Sequence, residues 1–418
     1  MKIQRVKYKN IEQIPYLKIN QNFKQDFYGT APAPFIGRFG YPNINIGILS
    51  PQFSGDLTEY DSPKLWSSSN TPIGRIASLR YDLVNSRTKG NVKDIHQSNK
   101  FLNIAQESAL AKKGVDVEIN LKKLPTLLSN PEKEIIPFGP QAEIIKARIT
   151  SNPSVDSRVE KVVSDTDLKA NSALLSLYQK GFEENTLTKL LSVGNLGLKH
   201  NRKLVPTRWS ITAVDDTVGK KLIQEIRQFP QGNDYFLHFG GGWGNYYLLL
   251  FFPDVWSYEL FEMYINYQVN PWSPRRQSLR DAEGNEFPFV HKAGLFYSTD
   301  YENYRGRKEY AEETAGGYYA CRIGIAEKMK ELKRQYSCLA LRFITSEYNI
   351  PLGVWVCREA ARKSLSQPKI NFNTEKELLK YAQELIKTKF NFEISLLLSQ
   401  SLLVKNKESQ KKLAEFSS

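Results

Sequence analysis

The sequence predicts an α+β fold, mixed sheets with packed helices, on three observations. Apolar runs of period 2 and of period 3.6 both occur, without the regular strand–helix rhythm of a βαβ protein. No internal repeat is visible. A hydrophobic share of 41% beside 24% charged residues is an ordinary globular balance, enough for a sizeable core in 418 residues.

Residues 1–27 form a polar, weakly patterned segment. In "APAPFIGRFGYPNINIG", prolines and glycines punctuate an alternation that puts Ile44, Ile46 and Ile48 on one side and Asn43, Asn45 and Gly47 on the other. This reads as a loop feeding a strand. A helix begins near Pro72, with Ile76, Leu79 and Leu83 at apolar spacing. "NKFLNIAQESALAKK" predicts a second helix closed by Gly114, and "VDVEINL" a period-2 strand. Proline-broken text to Pro140 predicts loops, and "LLSLYQKGFEENTLTKLLSVGNLG" predicts helices separated by glycines. "VPTRWSITAVDDTVGKKLIQEIRQ" reads as a strand over about 207–214 followed by a helix.

Further on, "DYFLHFGGGWGNYYLLLFFPDVWSYELFEMY" reads as apolar strands around a glycine-rich connection, then further sheet. "GGYYACRIGIAEKMKELKRQ" predicts an amphipathic helix, "SCLALRFIT" a strand and "VCREAARKSL" another helix. A helical C-terminal segment, one helix over 374–390 and a second to about 404, leads into a flexible tail over 406–418.

Lysine and arginine outnumber the acids 58 to 44, and the resulting charge of +14 favours a polyanionic partner such as nucleic acid. Cys321, Cys338 and Cys357 form no CxxC pair and stand beside only four histidines, so buried, reduced thiols are expected rather than disulfides or a zinc site. The longest apolar run, "YYLLLFF", is strand-sized, and "MKIQRVKYKN" has no apolar segment behind its charges. A cytoplasmic protein without a membrane partner is expected.

Several motifs bear on chemistry. "FGGGWGN" runs into a strand, not a helix N-terminus, so it reads as a tight turn or bulge and not a dinucleotide fingerprint. On the predicted strand, Arg208 faces away from Thr207 and Trp209, giving one cationic polar face. Asp215 and Asp216 then stand where a helix begins, a place for capping or, alternatively, for metal ligation or acid-base work. Arg38 beside aromatics, with Asn43 and Asn45 on the following strand, suits a surface that pairs phosphate while rings stack on bases. Glu347 and Glu359 are acids for a cleft or for surface salt bridges. There is no GxSxG and no HExxH, and no cofactor is predicted.

Five segments, "FIGRFGYPNINIG", "VPTRWSITAVDDT", "YYLLLFFPDVWSYE", "GGYYACRIGIAE" and "LRFITSEYNIPLGVWVCRE", together resemble the archaeal Nre proteins of DNA repair. The resemblance implies an N-terminal region over 28–200, a C-terminal region over 201–370, C-terminal helices over 371–405 and a clamp-binding tail. It also implies DNA and the sliding clamp PCNA as partners. A PCNA-interacting motif resembles Gln, two free positions, an aliphatic residue, two more, then aromatics; Gln410, Leu413 and Phe416 in "QKKLAEF" fill those places. A 3₁₀ turn puts residues i and i+3 on one side, which makes Leu413 and Phe416 a two-pronged plug. Ser417 stands where a second aromatic often sits. Members of the family often carry a cysteine-containing zinc module near the N-terminus; no cysteine precedes Cys321, so zinc is not expected. The leading expectation is a DNA damage repair factor that binds DNA through Arg38, Asn43, Asn45, Arg208 and Trp209. The alternative is a metal-dependent repair nuclease or other DNA-modifying enzyme. Asp215 and Asp216, with Glu347 or Glu359, would then hold a divalent metal.

Overall fold

The computed structural model describes residues 22–96, 99–126, 139–265, 279–280, 286–287, 290–292, 295–348 and 350–409. The fold is α+β, and the described residues divide into two compact units, 22–218 with 350–353 and 219–348 with 354–409.

The first unit is built on a six-stranded sheet of β1 (Asp26–Ala31), β2 (Ala33–Ile36), β3 (Asn43–Ser50), β4 (Val84–Asn91), β5 (Val115–Leu121) and β6 (Gln141–Ile149), in the order β1-β5-β6-β4-β3-β2. The alternation read in β3 and β5 holds. Ile44, Ile46 and Ile48 are buried, as are Val115, Val117, Ile119 and Leu121, because a half-buried strand turns every second side chain inward. The segment 1–27 is not wholly unpatterned, since β1 starts at Asp26 and buries Phe27. Helices α1 (Pro63–Ser68), α2 (Ile73–Asp82), α3 (Lys100–Leu110), α4 (Ser157–Ser164), α5 (Ala170–Gln179) and α6 (Glu184–Ser192) also belong to this unit. α2 starts directly after Pro72, as expected. In α3, the Asn99 side chain accepts from the Phe101 and Leu102 amides, and Leu102, Ala105 and Ala109 join Ile36, Ile44 and Ile46 in one core cluster. Gly114 does not close α3; Ala111 already turns extended, and Gly114, at φ +91°, lies three residues further on.

The largest departure from the sequence reading is α7 (Thr207–Ile226), one continuous helix where a strand followed by a helix is expected. Ser210, Val214, Val218, Leu222 and Ile226 are all buried, an i, i+4 series that defines a single inward stripe. That long-range period outweighs the short alternation over 207–214, and Pro206 stands just outside the first turn, where its missing amide costs nothing. Asp215 and Asp216 therefore lie mid-helix and not at the N-terminus of a helix, where capping is expected.

The second unit carries a seven-stranded sheet: β7 (Tyr235–Gly242), β8 (Asn245–Phe252), β9 (Ser257–Tyr264), β12 (Val290–Lys292), β13 (Leu295–Glu302), β14 (Ser337–Ile344) and β15 (Ile370–Phe372), ordered β12-β13-β9-β14-β8-β7-β15. β10 (Leu279–Arg280) and β11 (Glu286–Phe287) pair separately. β14 is central, parallel to β9 and antiparallel to β8, and every one of its residues is buried. "FGGGWGN" is a turn, as expected: Trp243 (φ +54°) and Gly244 (φ +70°) form a two-residue hairpin loop, and a side chain at Gly244 would collide with the Tyr348 amide.

Helices α8 (Ala315–Leu332) and α9 (Trp355–Leu365) cover one face of this sheet. α8 is not simply amphipathic, because Gly316–Ala326 is buried all round. On the other face, Leu248, Leu250, Phe261, Leu339, Leu341 and Phe343 meet α10 (Glu375–Phe390), α11 (Ser395–Gln400) and α12 (Leu402–Ser409). Each such side chain contributes about 1.5–3 kcal/mol on burial. The second C-terminal helix of the sequence reading is thus two short ones. α10 opens with a reciprocal capping box between Thr374 and Glu377. α12 is tied to the sheet by the buried Glu259 carboxylate, which accepts from Ser401 Oγ (2.5 Å) and from the Leu402 and Leu403 amides (3.0 Å each). No helix among the described residues is long and apolar enough to cross a membrane.

Candidate nucleic-acid interface

Between β2 and β3 the chain makes a tight tip. Gly37 N donates to Asn45 O (2.8 Å) and Asn43 N to Gly40 O (2.8 Å), with Gly40 at φ +82°. The tip carries Arg38, Phe39 and Tyr41. The Arg38 guanidinium lies 4.8 Å from the centre of the Phe39 ring. α7 is locked to the end of β2 because Ile36 N donates to Thr207 Oγ1 (2.9 Å), which also shares a hydrogen bond with Ser192 Oγ (3.0 Å). That anchor sets Trp209, one half-turn into the helix, against Tyr41 at a centroid distance of 5.3 Å and a tilt of 52°. Three large rings stay in water here: Phe39 is 57% exposed, Tyr41 46% and Trp209 37%.

Lysines come near the tip through its neighbouring backbone. Val92 N donates to Pro42 O (3.0 Å) and Leu204 N to Val92 O (2.9 Å), so the exposed Lys93 and Lys203 flank the tip. In the β3–β4 register, Asn45 pairs with Lys89 and Asn43 with Asn91, on the face opposite the buried Ile44 and Ile46. The Asn91 amide donates to Asn43 Oδ1 at 2.8 Å. Of the residues expected to contact DNA, Arg38, Asn43, Asn45 and Trp209 thus gather around one tip. Arg208 neighbours Trp209 on α7 and, half-buried like Arg38, projects about 100° away around the helix. Sequence reasoning does not single out Tyr41, Lys89, Lys93 or Lys203. The ring spacing in "RFGYP" is a signal for Tyr41, whereas the lysines come from two distant segments, the end of β4 and the residues before α7, that only the fold joins.

The acidic candidates sit differently. Asp215 is fully buried within α7, and Asp216, next along the helix, points elsewhere. Glu359 is buried and held by arginines, accepting from Arg362 Nη1 (2.8 Å) with Arg358 Nε at 3.6 Å. Glu347 accepts from Tyr246 OH (3.0 Å). Among the described residues, no group of three or more His, Cys, Asp or Glu is arranged to hold a metal ion. Gln410, Leu413 and Phe416 lie outside the described residues.

The second unit buries a row of charges. On the α8 side of the sheet, Arg342 Nη1 donates to Glu262 Oε1 (2.5 Å), and its Nε and Nη2 reach Asn245 Oδ1 (3.0 and 2.5 Å). Gly317 of α8 passes so close that a side chain there would strike the Glu262 carboxylate. A second pair, Arg322 Nη1 to Glu302 Oε2 (2.9 Å), is reinforced by Trp256 Nε1 on the other carboxylate oxygen (3.0 Å). Asp300 completes the row, accepting from Thr314 N and Oγ1 (2.8 Å each) and pairing with Arg307 (3.0 Å). Cys321, Cys338 and Cys357 are unlinked and buried, and burial pushes their thiols up, away from reactive thiolate. These groups hold helix to sheet.

The profile described as "Archaeal Nre, N-terminal" matches residues 8–272, and the one described as "Archaeal Nre, C-terminal" matches 302–416. The chain belongs to the archaeal Nre family. It is 33% identical to the DNA repair protein NreB of Archaeoglobus fulgidus over 96% of this chain and 95% of that one. It is 34% identical to the DNA repair protein NreA of Haloferax volcanii over 80% of this chain and 76% of that one, and 33% identical to NreA of Archaeoglobus fulgidus over 81% and 80%. No solved structure matches.

Proposed function

We propose that the chain is a DNA-repair factor that contacts DNA through the tip around Arg38, Asn43, Asn45, Tyr41 and Trp209 and is recruited to PCNA through Gln410, Leu413 and Phe416. The repair role follows its relatives, which are named DNA repair proteins over most of their length. One observation carries the DNA contact: exposed rings and exposed cations converge on one tip, in a chain of net charge +14. Lysines and arginines neutralise phosphates and release counterions, while rings stack on bases. Binding of a labelled oligonucleotide that weakens steeply with salt is expected; binding indifferent to ionic strength would sink the assignment.

The clamp contact is supported by residue chemistry. Leu413 and Phe416 would each contribute about 1.5–3 kcal/mol in an apolar pocket, and ordering costs reduce this to roughly micromolar affinity. Gln410 offers a donor and an acceptor to the rim. The segment follows α12, which Glu259 fixes to the sheet, so the plug would start from a fixed point on the body. Calorimetric titration of the organism's own clamp tests this: heat with the full chain and none with a version ending at Ser409 is expected. Equal binding by both versions would remove the motif from the account.

A further inference from the structure

We infer that the tip takes unpaired bases, so that its ligand is a single-stranded stretch of DNA and not an intact duplex. The inference rests on the proposed DNA contact and deepens it. In a duplex, both faces of every base are covered by neighbours, and only edges are offered in the grooves. Reading those edges takes polar side chains free to bond them. The amides nearest the tip are partly committed to each other, Asn91 Nδ2 to Asn43 Oδ1 at 2.8 Å. What the tip offers outward is ring surface.

The rings do not form one plane. Tyr41 and Trp209 are tilted by 52°, and Phe39, with Arg38 beside it, stands two residues from Tyr41 across Gly40. Successive bases stacked on such a set must change orientation from one to the next. A single strand does this freely, whereas a duplex resists bending over so short a span. Lys93 and Lys203, neighbours of the Val92 and Leu204 backbone that bonds to Pro42, are exposed cations available to phosphates beside stacked bases. Rings for bases with lysines for phosphates is the pattern of single-strand grooves.

The test is fluorescence anisotropy of the full-length protein with one labelled sequence as single-stranded DNA, as blunt duplex and as RNA. Single-stranded DNA is expected to bind about tenfold tighter than duplex, and Phe39→Ala with Tyr41→Ala to abolish that preference. Emission of the wild-type protein should be quenched by the single strand, and less so in Trp209→Phe. Thermal midpoints of the variants, expected unchanged for exposed side chains, separate lost stacking from lost folding. Equal or tighter binding of duplex, or tighter binding of RNA, would overturn the inference while leaving a nucleic-acid contact. Binding to none of the three would overturn the DNA contact itself.

Discussion

Arginine has opposite fates in the two units. In the first, Arg38 stands at a tip among exposed rings. In the second, Arg322 of α8 and Arg342 of β14 are buried, with Glu302, Glu262 and Asn245 on their guanidinium groups. A buried ion pair loses much of its Coulombic gain to desolvation, but removing one partner strands the other, so such pairs fix helix against sheet. The half-buried Arg38 guanidinium keeps part of its surface in water, where an incoming polyanion can reach it. The same side chain is architecture in one place and, in the reading proposed above, contact surface in the other.

The sharpest way to break the comparison is Arg322→Met. It leaves Glu302 buried without its cation, and we expect a loss on the order of 3–5 kcal/mol in urea unfolding with DNA affinity of the folded protein unchanged. A loss under about 1 kcal/mol would contradict the architectural role.

Next comes a half-buried carboxyl within the first unit. Burial pushes the Asp82 carboxyl, at the end of α2, up to about 6, and Arg75 opposes this only in part. Its folded value exceeds the unfolded value of about 4, so the folded state holds the extra proton. Stability should therefore fall as pH rises from about 4 to about 6 and flatten above. Asp82→Asn should stabilise the protein at pH 8 and lose that advantage towards pH 4; a pH-independent difference would contradict the burial argument. Smallest is Arg38→Ala. It should weaken DNA binding several-fold and reduce the salt slope by about one, with no change in thermal midpoint. An unchanged slope would place the phosphate contacts elsewhere.

Much of the fold is legible in the sequence, because β3, β5, the β7–β8 hairpin and α10 each carry one unambiguous signal: alternation, a glycine turn or a capping box. α7 is misread for a physical reason. Over eight residues, alternation and helical spacing both fit "TRWSITAV", and only Val218, Leu222 and Ile226 settle the period. The candidate interface is half legible. Arg38, Asn43, Asn45 and Trp209 stand in segments that look unusual alone, while Lys89, Lys93 and Lys203 are ordinary surface lysines until β4 and the Val92–Leu204 bond bring them to the tip. The buried row is illegible. An arginine in "SCLALRFI" says nothing of its partner, since Glu262 and Asn245 come from two other strands.

The most direct test of the central claim, that the first unit's tip contacts DNA, is photo-crosslinking. A bromodeoxyuridine-substituted oligonucleotide would be irradiated with the full-length protein and the joined peptides mapped by mass spectrometry. Crosslinks at Phe39, Tyr41 or Trp209 are the predicted result; crosslinks confined to residues 219–409 would contradict it.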